Sequence, residues 1–271
     1  MPILNKDMTL CISLAGRPSN IGTRFHNFLY DELGLNFIYK AFSTQDLEGA
    51  IRGVRALGIR GCSVSMPFKE AVLPLVDVVE DSAAAIESVN TIVNEGGRLS
   101  ASNTDYEAVR TLIARHELDL GLPVLVRGSG GMAKAVVAAF RSAGAEHLTV
   151  LARNRDAGSA LADRYGYAWA VDDPPPTEAI VVNVTPLGMH GPDVEALSFG
   201  EAHVAAARTV MDVVAFPVET PLIRAARAAG TPVITGGEVI AVQAALQFER
   251  YTAVPVTPEQ VERASEFSRQ P

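Results

Sequence analysis

In the stretch SVSMPFKEAV, residues 63–72, an apolar run ends in Ser-Met-Pro-Phe and delivers Lys69 at the expected start of a helix. Beside Glu70 it reads first as an ordinary amphipathic lysine. A helix N-terminus carries the positive end of the macrodipole, however, so a cation there needs a local anion or a chemical task. Two other polar residues fall at comparable places, Asn90 in SVNTI and Asp105 in SNTD. In a parallel sheet the carboxyl ends of the strands converge on one edge, where ligands bind. A lysine and an aspartate meeting there would offset each other's charge, and the pair could relay a proton while another group moves a hydride.

A hydride carrier is suggested by VLVRGSGGMAKAV, residues 124–136. Gly128-x-Gly130-Gly131 with Ala133 suits a dinucleotide loop. It places no Cβ at the tight turn and leaves backbone N–H groups at a helix N-terminus for a pyrophosphate. A lone Gly-x-Gly is a weak signal, but the strand before it and the helix after it are the context the motif needs. The next strand ends LARNR, with Arg153 and Arg155 and no carboxylate. An NAD site usually has Asp or Glu there to accept from the ribose 2′-OH, whereas guanidinium forks suit a 2′-phosphate. The expected cofactor is NADP.

The elements that must position these residues alternate in type. MTLCISLAG, NFIYKAF and GCSVSMP read as strands, with helices at 22–33 and in TQDLEGAIRGVRALG, the latter capped by Thr44. Helical turns are expected to about residue 89, then a hairpin near Gly96-Gly97 and a helix from Asp105 to Glu117. A second βα series runs from LPVLVRG through HLTVLA, AIVVNVT, TVMDVVA and TPVIT, with DDPPPTE as a loop inside it. Two helices close the chain over 237–269. This rhythm predicts an α/β fold of two domains with mostly parallel sheets. One domain, 1–101 with 237–271, is built from both chain ends, and a Rossmann-type dinucleotide-binding domain spans 102–236.

Composition narrows the class. The 271 residues are 48% apolar and 20% charged, as in a globular protein. The net charge of −8 argues against nucleic acid as partner. No apolar run suits a membrane span, and the opening Met-Pro-Ile-Leu-Asn-Lys lacks the layout of a secretory leader. Cys11 and Cys62 give neither a disulfide framework nor zinc spacing, and the five histidines show no metal pattern. The expectation is a cytoplasmic protein with a small-molecule substrate, no membrane or metal, and a monomeric or homodimeric state. His26 reads as a packing or capping residue and Trp169 as core or rim.

The ordered series SMPFKE, SVNTI, NTD, GSGGMAKAV, NVTPLGM, ETPLI and AVQAALQFE resembles the shikimate dehydrogenase family over essentially the whole chain. The opening GRPSNIGTRFHN resembles its divergent shikimate-dehydrogenase-like branch. The resemblance implies NADP-dependent interconversion of shikimate and 3-dehydroshikimate, a step in aromatic amino acid biosynthesis. It implies Lys69 and Asp105 as the catalytic pair, with Ser65, Asn90 and Gln243 as ligands of the substrate hydroxyls. For the cofactor it implies Gly128, Ser129, Gly130, Gly131, Met132, Ala133 and Arg153, with Asn183, Thr185, Val214 and Gly236 flanking.

Three departures bear on the substrate. The family's Ser-x-Ser pair binds the substrate carboxylate; here that segment is shorter, and Asn20 and Gly22 fall in the serine positions. Ser19, Asn20 and Thr23 remain as donors. Ala215 stands at a usual tyrosine, and EVIA replaces the usual GMLV, which introduces Glu238. Low efficiency with shikimate is therefore expected. Quinate, an aminated analogue or another cyclic hydroxy acid remains open as substrate, as does a non-catalytic NADP-binding regulatory module.

Overall fold

In the computed structural model, which describes residues 4–270, the chain divides into two compact units. The first is Met1–Thr104 with Ala241–Pro271 and the second Asp105–Ile240. The divisions fall inside helices, a few residues from the boundaries expected at 101 and 237. Met1, Pro2 and Ile3, where a leader would begin, lie outside the described residues.

The first unit contains β1 (Thr9–Leu14), α1 (Ile21–Glu32), β2 (Phe37–Phe42), α2 (Leu47–Ala56), β3 (Gly61–Val64), β4 (Val78–Val79), α3 (Asp81–Ala84), β5 (Thr91–Glu95) and β6 (Arg98–Ser102). Its sheet runs β2-β1-β3-β5-β6-β4. β1 is parallel to β2 and β3, whereas β5 is antiparallel to both of its neighbours. Side chains alternate across a strand, and the two faces have separate cores. Ile12, Leu14, Cys62, Val64 and Ile92 pack with Ile51 and Val54 of α2. On the opposite face Cys11 and Tyr39 pack with Phe25 and Leu29 of α1 and with residues near the chain's end. His26 lies in this second core, fully buried and stacked on Tyr39 with ring centroids 4.4 Å apart. Neither ring nitrogen has a hydrogen-bond partner among the described residues. Burial lowers its pKa from 6.5 to about 3.

Two local expectations are corrected. Asp46, not Thr44, caps α2, its carboxylate accepting from Gly49 N at 2.7 Å while Thr44 Oγ1 accepts from Asp46 N. No α-helix starts at Lys69. The chain turns through 66–72 into a short 3₁₀ turn, Leu73–Leu75, and then into β4. The Lys69 carbonyl accepts from Val89 N at 2.8 Å, which removes it from any helical ladder. The macrodipole argument for Lys69 therefore lapses. Asp77 holds the missed strand in place by accepting from Leu99 N and from Arg55.

α4 (Thr104–Arg115) leads into the second unit, which holds β7 (Val124–Arg127), α5 (Gly131–Ala143), β8 (Leu148–Leu151), α6 (Arg155–Tyr165), β9 (Ala168–Ala170), β10 (Ala179–Asn183), α7 (Glu201–Ala206), β11 (Ala207–Asp212), α8 (Pro221–Ala228) and β12 (Val233–Ile234). α9 (Gly236–Thr252) returns the chain to the first unit, and α10 (Pro258–Arg269) ends it. All pairs in the second sheet are parallel, in the order β9-β8-β7-β10-β11-β12. That is the Rossmann order 3-2-1-4-5-6. All five residues of β10 are buried, as suits a parallel strand covered on both faces. No helix among the described residues is long and apolar enough to cross a membrane.

Candidate active site

In the first unit one sheet edge gathers most of the polar candidates. The register pairs Ser13 with Ser63, Ser63 with Thr91 and Thr91 with Ser102. Because β5 runs antiparallel, its first residues share this edge with the carboxyl ends of β1, β3 and β6. Ser65 follows β3 and is exposed, Asn90 precedes β5, and Asn103 and Thr104 follow β6.

Asn90 is fixed by an unusual share of bonds to one atom. Its Oδ1 accepts from Thr91 Oγ1 at 2.8 Å, Thr104 N at 2.8 Å and Thr104 Oγ1 at 3.1 Å. Its backbone carbonyl accepts from Val64 N and from Gln247 Nε2. The Asn90 Nδ2 makes no hydrogen bond among the described residues, so the amide is locked with its donor end uncommitted. Gln243 Nε2 donates to Thr104 Oγ1 at 3.1 Å, which ties α9 to the same network. Gln247, one helical turn further, donates to Thr91 Oγ1 at 2.9 Å. Sequence reasoning misses Thr91, Thr104 and Gln247 as members of the site. The i, i+4 spacing of Gln243 and Gln247, which puts both on one helix face, is the available signal.

The residues at the Ser-x-Ser segment divide. Ser19 and Asn20 are exposed, and Asn20 sits at the N-cap of α1 without a capping side-chain bond. Thr23 Oγ1 is buried with no partner among the described residues, while the residue borders a cavity of about 650 Å³ with Phe28, Phe37 and Phe267. The hydroxyl is not presented to solvent. Lys69 belongs to the first unit and Asp105, in the first turn of α4, to the second.

The second unit supplies the dinucleotide loop. Gly128, at the end of β7, has φ +126°, and a Cβ there would lie 2.8 Å from Val184 Cγ2. Only glycine fits both constraints. A Cβ on Gly130 or Gly131 would meet nothing within 4 Å, so the loop opens onto free space there. Gly130 is the N-cap of α5 and no side chain caps it, while Ser129 and Met132 flank it and Ala133 is buried beneath. These are the features a pyrophosphate needs. Arg153, just beyond β8, is exposed and has no ion pair among the described residues.

Asn183 and Thr185 are committed to the protein. The Asn183 Oδ1 accepts from Thr185 N and Oγ1, and its Nδ2 donates to Asp212 Oδ1 at 3.0 Å. Asp212 is fully buried and also accepts from Val214 N at 3.0 Å and Thr220 Oγ1 at 2.7 Å. Burial raises its pKa, with these hydrogen bonds opposing. This hub holds the segments that carry Thr185 and Val214. Gly236 closes it, since a Cβ there would lie 2.1 Å from the Val214 carbonyl oxygen. Glu238, the departure on α9, pairs with His116 Nε2 at 2.8 Å. No cluster of three or more His, Cys, Asp or Glu among the described residues could hold a metal ion.

Comparison with known proteins identifies relatives of the whole chain. Residues 20–92 match the family model described as the shikimate dehydrogenase substrate binding domain. A shikimate dehydrogenase-like protein of Haemophilus influenzae is 55% identical, over 98% of this chain and 99% of its own. The structure of shikimate 5-dehydrogenase from Thermus thermophilus in complex with NADP(H) and shikimate superposes with a TM-score of 0.85 at 31% identity, over 96% of this chain and 100% of its own. A quinate dehydrogenase of Corynebacterium glutamicum in complex with NAD gives 0.84 at 26% identity, over 96% and 98%.

Proposed function

Because the chain belongs to the shikimate dehydrogenase family, we propose that it is an NADP-dependent oxidoreductase that interconverts a cyclic hydroxy acid and its ketone, with shikimate as a poor substrate. The observation that carries this reading is the dinucleotide loop followed by Arg153 where a carboxylate would select a free 2′-OH. Gly128, Ser129, Gly130, Gly131, Met132 and Ala133 would hold the pyrophosphate, with Arg153 on the 2′-phosphate. Thr185, Val214 and Gly236 would flank the cofactor, and Asn183 would hold them in place. NADP, when bound, supplies or accepts the hydride.

The chain's own residues do the rest. Lys69 takes the proton from the reacting hydroxyl on oxidation and returns it on reduction, and Asp105 offsets its charge. Asn90, Ser65 and Gln243 orient the substrate hydroxyls. The Asn90 amide suits this task because its carbonyl end is saturated and its Nδ2 is uncommitted. A donor fixed beforehand costs little reorganisation in the reaction.

The altered clamp favours a second reading of the substrate within the same chemistry. Asn20 and Gly22 replace two hydroxyl donors, Thr23 Oγ1 is buried, and Ala215 replaces a phenol. Each lost hydrogen bond to a charged group is worth about 1.5–3 kcal/mol. Even with Ser19 and Asn20 in place, a deficit of about tenfold or more in kcat/KM for shikimate follows. The test follows NADPH absorbance with shikimate, quinate, their keto forms and aminated analogues, beside a family member with both serines. No turnover of any cyclic acid would refute the enzymatic reading. Parity for shikimate would show a rebuilt clamp, and strong turnover of another acid would identify the changed substrate.

A further inference from the structure

Trp169 is the chain's one tryptophan, and three observations converge on it. Its indole N–H donates to the carbonyl of Ala152 at 3.1 Å, and Ala152 immediately precedes Arg153. Its ring lies against α6 where Gly158 leaves room, since a Cβ there would sit 2.4 Å from Nε1. Its face carries the guanidinium of Arg155, 5.8 Å from the ring centroid. Trp169 therefore contacts the backbone next to one arginine and the side chain of another. Asn154, between the two, is committed to capping α6 by accepting from Ala157 N at 3.1 Å.

Among the described residues neither arginine is neutralised locally, unlike several others in this chain. Arg55, Arg60, Arg127, Arg224, Arg227, Arg250 and Arg263 each have an acidic partner. Arg153 and Arg155 have none among the described residues, although the net charge is −8. Two unpaired guanidiniums at the start of one helix, in an acidic protein, make a local receptor for a dianion. A phosphomonoester carries about −1.5 to −2 charges at neutral pH, more than a single guanidinium neutralises.

We propose that Trp169 is a positioning residue for cofactor selection: it holds Arg155 beside Arg153 so that two guanidiniums meet the phosphomonoester on the adenosine ribose. The inference rests on the NADP reading and adds the residue that supports its second arginine. A cation–π contact with an indole restricts a long side chain before the ligand arrives and leaves guanidinium N–H groups available to the phosphate oxygens.

The test uses the full chain with 2′-AMP and 5′-AMP, which differ only in where the phosphate sits. Affinities come from calorimetry and, in the parent, from Trp169 emission. The parent is expected to give a saturable emission change with 2′-AMP at concentrations where 5′-AMP gives none. Arg155→Gln should weaken 2′-AMP about tenfold or more while leaving 5′-AMP unchanged. Trp169→Leu should weaken 2′-AMP about 2–5-fold, and Trp169→Phe, which keeps an aromatic face, should restore part of the loss. A merely structural tryptophan would move both nucleotides together. A parent that prefers 2′-AMP while both Arg155→Gln and Trp169→Leu keep its selectivity overturns the role of Trp169 and leaves the NADP reading standing. A parent that does not distinguish the nucleotides overturns both. Should Trp169→Leu fail to fold, Trp169→Phe takes its place, and parent-like 2′-AMP selectivity in Trp169→Phe beside a loss in Arg155→Gln overturns the role of Trp169.

Discussion

Replacing His26 by Phe should remove a large part of the acid sensitivity of the first unit. The ring is fully buried among Phe25, Tyr30, Tyr39, Phe248 and Tyr251, and burial lowers its pKa from 6.5 to about 3. The native state thus refuses a proton that the unfolded chain binds below about pH 6.5. The contribution to stability is fully present above that pH and is lost as pH falls toward 3. One pKa unit corresponds to about 1.4 kcal/mol, so the loss between pH 8 and 5 is about 2 kcal/mol and approaches 5 kcal/mol near pH 3. Phe keeps the stack on Tyr39 and cannot titrate. Urea unfolding followed by circular dichroism at pH 8, 6.5 and 5 would compare the parent with His26→Phe, and the carboxylates common to both cancel in the difference. The parent should lose about 2 kcal/mol more than the variant over this range. Equal losses would show that His26 either keeps its proton in the fold or contributes nothing to the pH dependence.

Three further outcomes are expected. Lys69→Ala should lower kcat by about 10²–10⁴ with nucleotide affinity unchanged, and a variant that keeps a third of the parent kcat would sink the assignment. Gly128→Ala should weaken binding of a 2′-phosphorylated adenine nucleotide by tenfold or more in calorimetry, because φ +126° and the contact with Val184 both exclude a Cβ; parent-like affinity would refute that. Gly61→Ala would drive a Cβ to 2.4 Å from the ring of Tyr251, which is 1% exposed and has little room to move. A loss of about 1–3 kcal/mol or more is expected in chemical unfolding, and an unchanged midpoint would contradict it.

The alternation of strands and helices is legible because strand and helix periods differ, and the glycine loop is legible because its chemistry is local. The α2 cap is a local misreading, two residues off, whereas the other misreadings involve partners distant in sequence. Lys69 reads as a helix start, but its carbonyl is bonded to Val89, and β4 depends on Asp77 reaching Leu99. The substrate edge is legible as motifs but not as a mechanism. Asn90 acquires its orientation from Thr104 and Gln247, which only the antiparallel course of β5 and the return of α9 bring to it. Trp169 reads as core or rim, since nothing local reveals that Gly158 makes room for it. Asp212 offers no signal beyond being an acid at a strand end.

The first unit cannot be completed in the order in which it is made. Cys11, Phe25, Leu29, Tyr30 and Tyr39 share their core with Ala244, Phe248, Tyr251 and Ala264, contributed by the last two helices. On a ribosome those helices emerge only after the whole of Asp105–Ile240, a contiguous segment with its own sheet. Domains usually fold from the N-terminus forward during synthesis, but here the later segment can close while the earlier one waits. During that interval an aromatic sheet face stands open, and it is the surface that nascent-chain chaperones would have to cover.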